Sequence, residues 1–400
     1  MKVDWTGRAL EAEVGPVAHG GHCVSRVDGR VVFVRHALPG ELVVAEVTED
    51  KGGAFCRADA VRILRPAPDR VEPPCPVAGP GLCGGCDWQH ASPRAQRALK
   101  AGVVAEQLRR LAGIEREVEV EELPGGSLRW RTRVRYVAGR DGRPGLRAHR
   151  SHRVIPLEDC PITVPGATGD VLSRRRRPGS EIEVAADAAG RTHVRVLETV
   201  RGREKSRQVA GGVAAQRAAG RDWRLGAHDF WQVHPAAADT FAGVVADWAL
   251  ASPGGRVWDL YAGVGLFAAV LAGQVGPDGG VLAVESGRRA VADGEANLAD
   301  LPQVRWRAGR VEHVLADVDE RPEVVVLDPP RKGAGRAVVD AIAAGEPERV
   351  VYVACDPAAL ARDVATFTGH GYHLERLRAF DAFPMTHHVE TLALLTRIRR

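Results

Sequence analysis

The chain has little lysine. Lys occurs only at positions 2, 51, 100, 205 and 332, so nearly all of the 55 basic residues are arginine. The formal net charge is only +4, which excludes a uniformly basic polypeptide. An arginine-rich genome would give the same bias, yet the guanidinium fork also suits phosphate because it binds two oxygens at once. Long apolar runs are missing too. None approaches the roughly 18–20 residues of a membrane span, so no membrane partner is expected. The opening stretch, MKVDWTGRALEAEV, carries Asp4, Glu11 and Glu13 and has no apolar h-region; no secretory signal is expected, and the cytoplasm is the expected compartment. The cysteines number seven, an odd count with nothing to suggest secretion, which argues against a disulfide framework. Nothing in the chain signals oligomerisation, and a monomer is expected.

What is present divides into three parts. At 400 residues the chain exceeds the usual domain of about 100–200, so two or three domains are expected. Residues 1–64 read as short strands with glycine turns, as in a small β-barrel. A proline-rich stretch, RPAPDRVEPPCP (65–76), marks a boundary. Residues 65–222 form a central α+β domain. In it, 91–114 reads as one amphipathic helix with Ser92 as N-cap, Pro93 at the first position, and Leu99, Val103, Leu108 and Leu111 on one side. This helix could pack on the following domain. Next, RWRTRVRYVAG reads as a strand with Arg129, Arg131, Arg133 and Arg135 on one face, and SRRRRPGS (173–180) as a loop. From 223 to 400, apolar strand-like runs alternate with helical ones, the pattern of a doubly wound, mainly parallel α/β sheet.

Four constellations carry chemistry. In WDLYAGVGLFAAVLA (258–272), Gly263 and Gly265 permit a sharp turn and a close ligand approach, and Glu285 ends the next strand. An acidic side chain there can accept both ribose hydroxyls. Position 268 is Ala, so the dinucleotide fingerprint is incomplete; Asp259 before the turn and Glu285 after it favour S-adenosylmethionine. In VVVLDPPRKGAG, two prolines end a strand and hold Asp328 at the carboxyl edge of the sheet, where α/β ligands bind. Arg331 and Lys332 follow and can meet phosphate. Cys355 ends another strand of the same domain, and Glu390 stands just before the last one. One thiolate, one carboxylate and a methyl sulfonium make up the set that C5 methylation of uracil requires. Sulfur adds at C6, C5 becomes a nucleophile, and a base then removes the C5 proton. The fourth group is Cys75, Cys83 and Cys86 in a C-x7-C-x2-C pattern, with Cys160 further on. Four thiolates suit a [4Fe–4S] cluster or a structural zinc, and spacing alone does not separate them.

DPPRKG, VYVACDPAALARDV and THHVETLALL, in this order, resemble the RNA 5-methyluridine methyltransferase family. The resemblance implies a Rossmann-like class I methyltransferase domain, Cys355 as nucleophile and Glu390 as general base. FWQVHP (230–235) looks like the family's F-x-Q-V-N segment, which implies a cofactor contact from Gln232 and leaves His234 where Asn is usual. Tyr261, Glu285 and Asp328 match its cofactor-pocket positions. The four cysteines resemble those of the family's iron–sulfur branch, with a longer first spacer; this favours the cluster over zinc and implies a structural or RNA-contacting role. Residues 5–64 resemble a TRAM domain, an OB-like RNA-binding barrel. The expected function is S-adenosylmethionine-dependent C5 methylation of a uridine in RNA. 23S ribosomal RNA is favoured over transfer RNA, with Arg331, Arg131 and Arg133 touching the substrate. Methylation of cytidine C5, or a non-catalytic RNA-binding iron–sulfur protein, are the rival readings.

Overall fold

The computed structural model describes residues 4–200 and 202–398. At the N-terminus, β1 (Ala9–Glu13), β2 (Cys23–Val27), β3 (Arg30–Arg35), β4 (Leu42–Asp50) and β5 (Phe55–Arg65) form one sheet in the order β1-β4-β5-β3-β2. Register shifts between β4 and β5 bend it, and alternate residues such as Val32, Val34, Val43 and Ala45 bury on its inner face.

α1 (Pro93–Gln107) starts as its sequence dictates. The Ser92 hydroxyl accepts the Ala95 N–H at 3.2 Å, and Pro93 occupies the first turn. The expectation of one helix to 114 needs correction. A π-helical turn, 108–112, follows and ends at Gly113 with φ 67°. The wider turn rotates the apolar face, so Leu111 faces solvent while Val104 and Leu108 pack against Ala361. Two buried polar side chains of α1 reach much further along the chain. Lys100 donates to Asp381 at 2.5 Å and to the Phe383 carbonyl at 3.0 Å, while Gln96 accepts the Met385 N–H at 2.7 Å.

After β6 (Val120–Glu122) come β7 (Arg133–Ala138), β8 (Pro144–Arg147), β9 (Val154–Pro156), α2 (Gly169–Ser173), β10 (Glu181–Ala186), β11 (Thr192–Val200) and β12 (Arg203–Ala210). All but β6 and α2 make an antiparallel sheet ordered β12-β11-β10-β7-β8-β9. Here the arginine face fails to form. The strand begins only at Arg133, and Arg129 has φ 57°, which breaks the alternation. Arg129 pairs with Asp159, and Arg135 with Glu181 and Glu183. Trp130, Val134 and Tyr136 turn into the core. The hairpin of β13 (Val213–Ala218) and β14 (Arg221–Gly226) straddles residue 222, the expected boundary. Its Ala218, Trp223 and Leu225 lie in the core of the following domain.

That domain runs α3 (Ala237–Ala249), β15 (Arg256–Leu260), α4 (Leu266–Val275), β16 (Gly280–Glu285), α5 (Arg288–Asn297), β17 (Val304–Ala308), α6 (Val311–Val314), β18 (Val324–Leu327), α7 (Arg336–Ala344), β19 (Arg349–Ala354), α8 (Pro357–Gly369), β20 (Tyr372–Asp381) and β21 (Glu390–Arg397). The strand order is β17-β16-β15-β18-β19-β21-β20-β6. Strands β15 to β19 are parallel; β21 runs antiparallel to both β19 and β20. Val324, Val325, Val326 and Leu327 are all buried, as a strand covered by helices on both faces requires. The chain winds outward one way from β15 and the other way from β18, so a crevice opens at the carboxyl ends between them.

Candidate active site

The carboxyl ends of β15, β18 and β19 open into a cleft of about 830 Å³, lined by Gln232, Tyr261, Gly263, Glu285, Asp328, Cys355 and Glu390 among others. The loop after β15 is built for a ligand. Tyr261 has φ 62°, rare for a bulky side chain, and Gly263 has φ 55° with nothing within 4 Å of where a Cβ would stand. Glu285 is fixed by the Gly263 N–H at 3.1 Å and the Gly287 N–H at 2.6 Å. This open cradle facing an oriented carboxylate fits the ribose and main chain of S-adenosylmethionine. Asp259 and Gly265, expected at the cofactor, do not line the cleft. Asp259 lies within β15, one residue short of its end, and is wholly buried. Burial pushes its carboxyl well above the usual range, and the Ala268 N–H that faces it closes no hydrogen bond. Gly265 starts α4 against Trp306.

The placement of Cys355 near Glu390 follows from strand register. β19 and β21 pair Val353 with Leu392 and Ala354 with Thr391, so the next position across is Cys355 opposite Glu390. Residues directly opposite on antiparallel strands point to the same face. The Thr391 hydroxyl donates to the Ala354 carbonyl at 3.0 Å and holds this corner closed. Burial, then the Glu390, Asp328 and Asp356 charges, push the Cys355 thiol up to about 12, against Arg331. Burial and Asp328 likewise push the Glu390 carboxyl well above its ordinary range, and Glu390 is 5% exposed. Burial raises Asp328 to about 7. Burial and the neighbouring carboxylates thus disfavour charge on both the thiol and the Glu390 carboxyl. The ionised form of such a carboxyl is a strong base.

Of the residues expected to touch RNA, Arg331 lines the cleft and lies 3.2 Å from His388. Arg131 instead donates to the Arg133 carbonyl at 2.9 Å, and Arg133 is spent on the Asp229 carbonyl. His234 stacks on Trp130 with ring centroids 6.0 Å apart and accepts the Ala236 N–H at 3.2 Å, just ahead of α3. Phe230, 68% exposed at the rim of the cleft, was missed as a site residue. A large aromatic beside Gln232 in FWQVHP was the available signal.

Cys75, Cys83, Cys86 and Cys160 share one electrostatic neighbourhood, each of the first three feeling the charge of Cys160. The Gly85 N–H reaches the Cys83 sulfur at 3.4 Å, and the Gln89 amide reaches that of Cys86 at 3.2 Å. Among the described residues, however, no three Cys, His, Asp or Glu side chains are grouped so as to hold a metal ion, so neither the cluster nor zinc gains support from this arrangement. The cysteine loop also braces the segment that leads into β21. The Asp87 N–H and Trp88 N–H donate to the Met385 carbonyl at 2.9 and 3.1 Å, and Asp87 accepts the His387 N–H at 3.1 Å.

Known proteins place this architecture. It resembles the crystal structure of the Pyrococcus abyssi tRNA (uracil-54, C5)-methyltransferase in complex with S-adenosyl-L-homocysteine, with a TM-score of 0.73 and 20% identity, over 97% of this chain and 100% of that one. The fold is thus that of a Rossmann-like methyltransferase. Residues 310–398 match the model of the tRNA (uracil-5-)-methyltransferase family, and 5–61 match the TRAM domain. An uncharacterised RNA methyltransferase of Streptomyces coelicolor is 49% identical, covering 98% of this chain and 94% of that protein. Another from Bifidobacterium longum is 40% identical, over 97% and 96%. The chain belongs to the S-adenosylmethionine-dependent RNA uracil-5-methyltransferase family and carries an N-terminal TRAM domain. No helix among the described residues is long and apolar enough to cross a membrane.

Proposed function

We propose that this chain, acting as a monomer, methylates C5 of one uridine in RNA, with 23S ribosomal RNA as the favoured substrate. The observation that carries this is that Cys355 and Glu390, adjoining the last paired residues Ala354 and Thr391, line the same cleft as Glu285 and Asp328. A cleft of about 830 Å³ has room for a cofactor and one extruded base. S-adenosylmethionine supplies an electrophilic methyl on a sulfonium. Glu285 and the Gly263 turn hold it, with Gln232, Tyr261 and Asp328 completing the pocket. The Cys355 thiol gives up its proton to solvent through the open cleft, and the thiolate bonds to C6 of the uracil. The electrons of the C5–C6 double bond move toward O4 and return through C5, which takes the methyl as the methyl–sulfonium bond breaks and S-adenosylhomocysteine is released. Glu390, as its carboxylate, then accepts the C5 proton, the double bond re-forms, and the carbon–sulfur bond breaks to return the thiolate. Arg331 at the mouth meets the phosphate chain.

Cys75, Cys83, Cys86 and Cys160 would hold a [4Fe–4S] cluster, whose thiolates stand further apart than those around one zinc ion. No step above needs its electrons, and its place beside the 383–390 segment gives it a bracing role. The ribosomal reading rests on this cysteine pattern. A transfer RNA is the second reading, since the P. abyssi neighbour is named for one. Labelled cofactor with separated ribosomal and transfer RNA, followed by digestion to nucleosides, tests both. Label in 5-methyluridine from 23S RNA is the expected result; label in 5-methylcytidine, or in neither RNA, would overturn it.

A further inference from the structure

The N-terminal barrel reaches the reacting cysteine. Its 18–22 turn is closed by the Ala18 N–H to the His22 carbonyl at 2.7 Å and by the Gly21 N–H to the Ala18 carbonyl at 3.2 Å. The turn is clamped from both sides. The Trp88 indole N–H donates to the Gly21 carbonyl at 3.1 Å, and a Cβ on Gly21 would stand 2.7 Å from His387. Held this way, the turn delivers His19 Nε2 to within 3.0 Å of an Asp356 carboxylate oxygen. The other oxygen of Asp356 accepts the Ala359 N–H at 2.8 Å and caps α8, where Pro357 opens the helix. Cys355 thus lies between the main cleft and a second cavity of about 150 Å³, roofed by His19 and Gly21 and shared with Arg331 and His388.

A helix N-terminus favours a thiolate nearby, but a carboxylate capping that end cancels the benefit. Asp356 is among the charges that raise the Cys355 thiol. We propose that His19 is a positioning residue for the catalytic thiol. It ties the barrel to Asp356 and offsets that carboxylate's charge, so that the end of α8 can act on Cys355. This rests on the nucleophilic role of Cys355 argued above.

The groups facing His19 are Asp356 and Arg362 on α8 and Glu106 on α1. The Asp356 hydrogen bond foremost, with Glu106 assisting, raises the imidazole pKa, against burial and Arg362. A raised histidine pKa means the charged pair, present below the ordinary histidine value while Asp356 stays ionised, is lost as pH climbs through the raised value.

The test uses the full chain with His19→Gln, Asp356→Asn and the double variant. Iodoacetamide alkylation is followed on the Cys355 peptide by mass spectrometry from pH 7 to 9, beside kcat and KM for RNA methylation. His19→Gln should slow alkylation about three- to tenfold at pH 7, given that one pKa unit is tenfold in thiolate. The gap should close toward pH 9. kcat should fall by a similar factor with KM for S-adenosylmethionine unchanged, and the histidine change should add nothing once Asp356 is Asn. Alkylation and kcat within 1.5-fold of the parent, or an undiminished effect in the Asp356→Asn background, would overturn the proposal. The alkylation arm needs no RNA, so it stands apart from any error in the assigned substrate.

Discussion

The two larger sheets treat charge in opposite ways. In the antiparallel central sheet, charges are matched: Arg195 with Glu183, Arg147 with Glu181, Arg191 with Asp187. In the parallel sheet, the carboxyl-edge acids Asp328 and Glu390 have raised pKa values, and Asp259 just behind them has no hydrogen-bond partner. Matched pairs fix a scaffold, and against burial, hydrogen bonds with arginine among others hold the Glu183 and Asp187 carboxyls below their ordinary range. Unmatched buried acids cost stability, and a fold keeps them where ionisation does work. The contrast explains why the arginines of RWRTRVRY, basic in isolation, are engaged within the fold, whereas Arg331 stands exposed at the cleft.

Substitutions sharpen this contrast, and the largest effect belongs to the unmatched side. Cys355→Ala should lower methylation by more than about 10³-fold while cofactor binding, read by calorimetry, stays intact. Lys100→Met should come next. It leaves Asp381 uncompensated in the core and should cost about 3–5 kcal/mol in denaturant unfolding. Glu285→Ala removes a charged acceptor for the ribose and should weaken cofactor binding about 10–100-fold with little loss of thermal stability. Arg135→Ala breaks exposed pairs and should change stability by less than about 1 kcal/mol and RNA affinity hardly at all. A strong RNA-binding loss there would break the comparison.

Legibility divides along the same line. Residues at the carboxyl ends of parallel strands could be read because apolar runs announce the strands and glycine or proline announces their ends. Tyr261, Gly263, Glu285, Asp328 and Cys355 all reach one cleft. Asp259 misled because it stops one residue before its strand does. That Cys355 and Glu390 face each other depends on β21 running antiparallel to β19, a register that composition does not encode. The arginine partners were hidden because they lie far off in sequence, as Glu183 does from Arg135. The π-turn after α1 leaves no local mark, and His19 lies 337 residues from its acid.

The most direct test of the central claim is to trap the intermediate. Glu390→Gln, incubated with S-adenosylmethionine and the substrate RNA, should accumulate a denaturation-resistant protein–RNA adduct through Cys355. Without a base at position 390, the C5 proton stays and the carbon–sulfur bond cannot break. Folded Glu390→Gln protein that forms no adduct, or one that still turns over at the parental rate, would contradict the account.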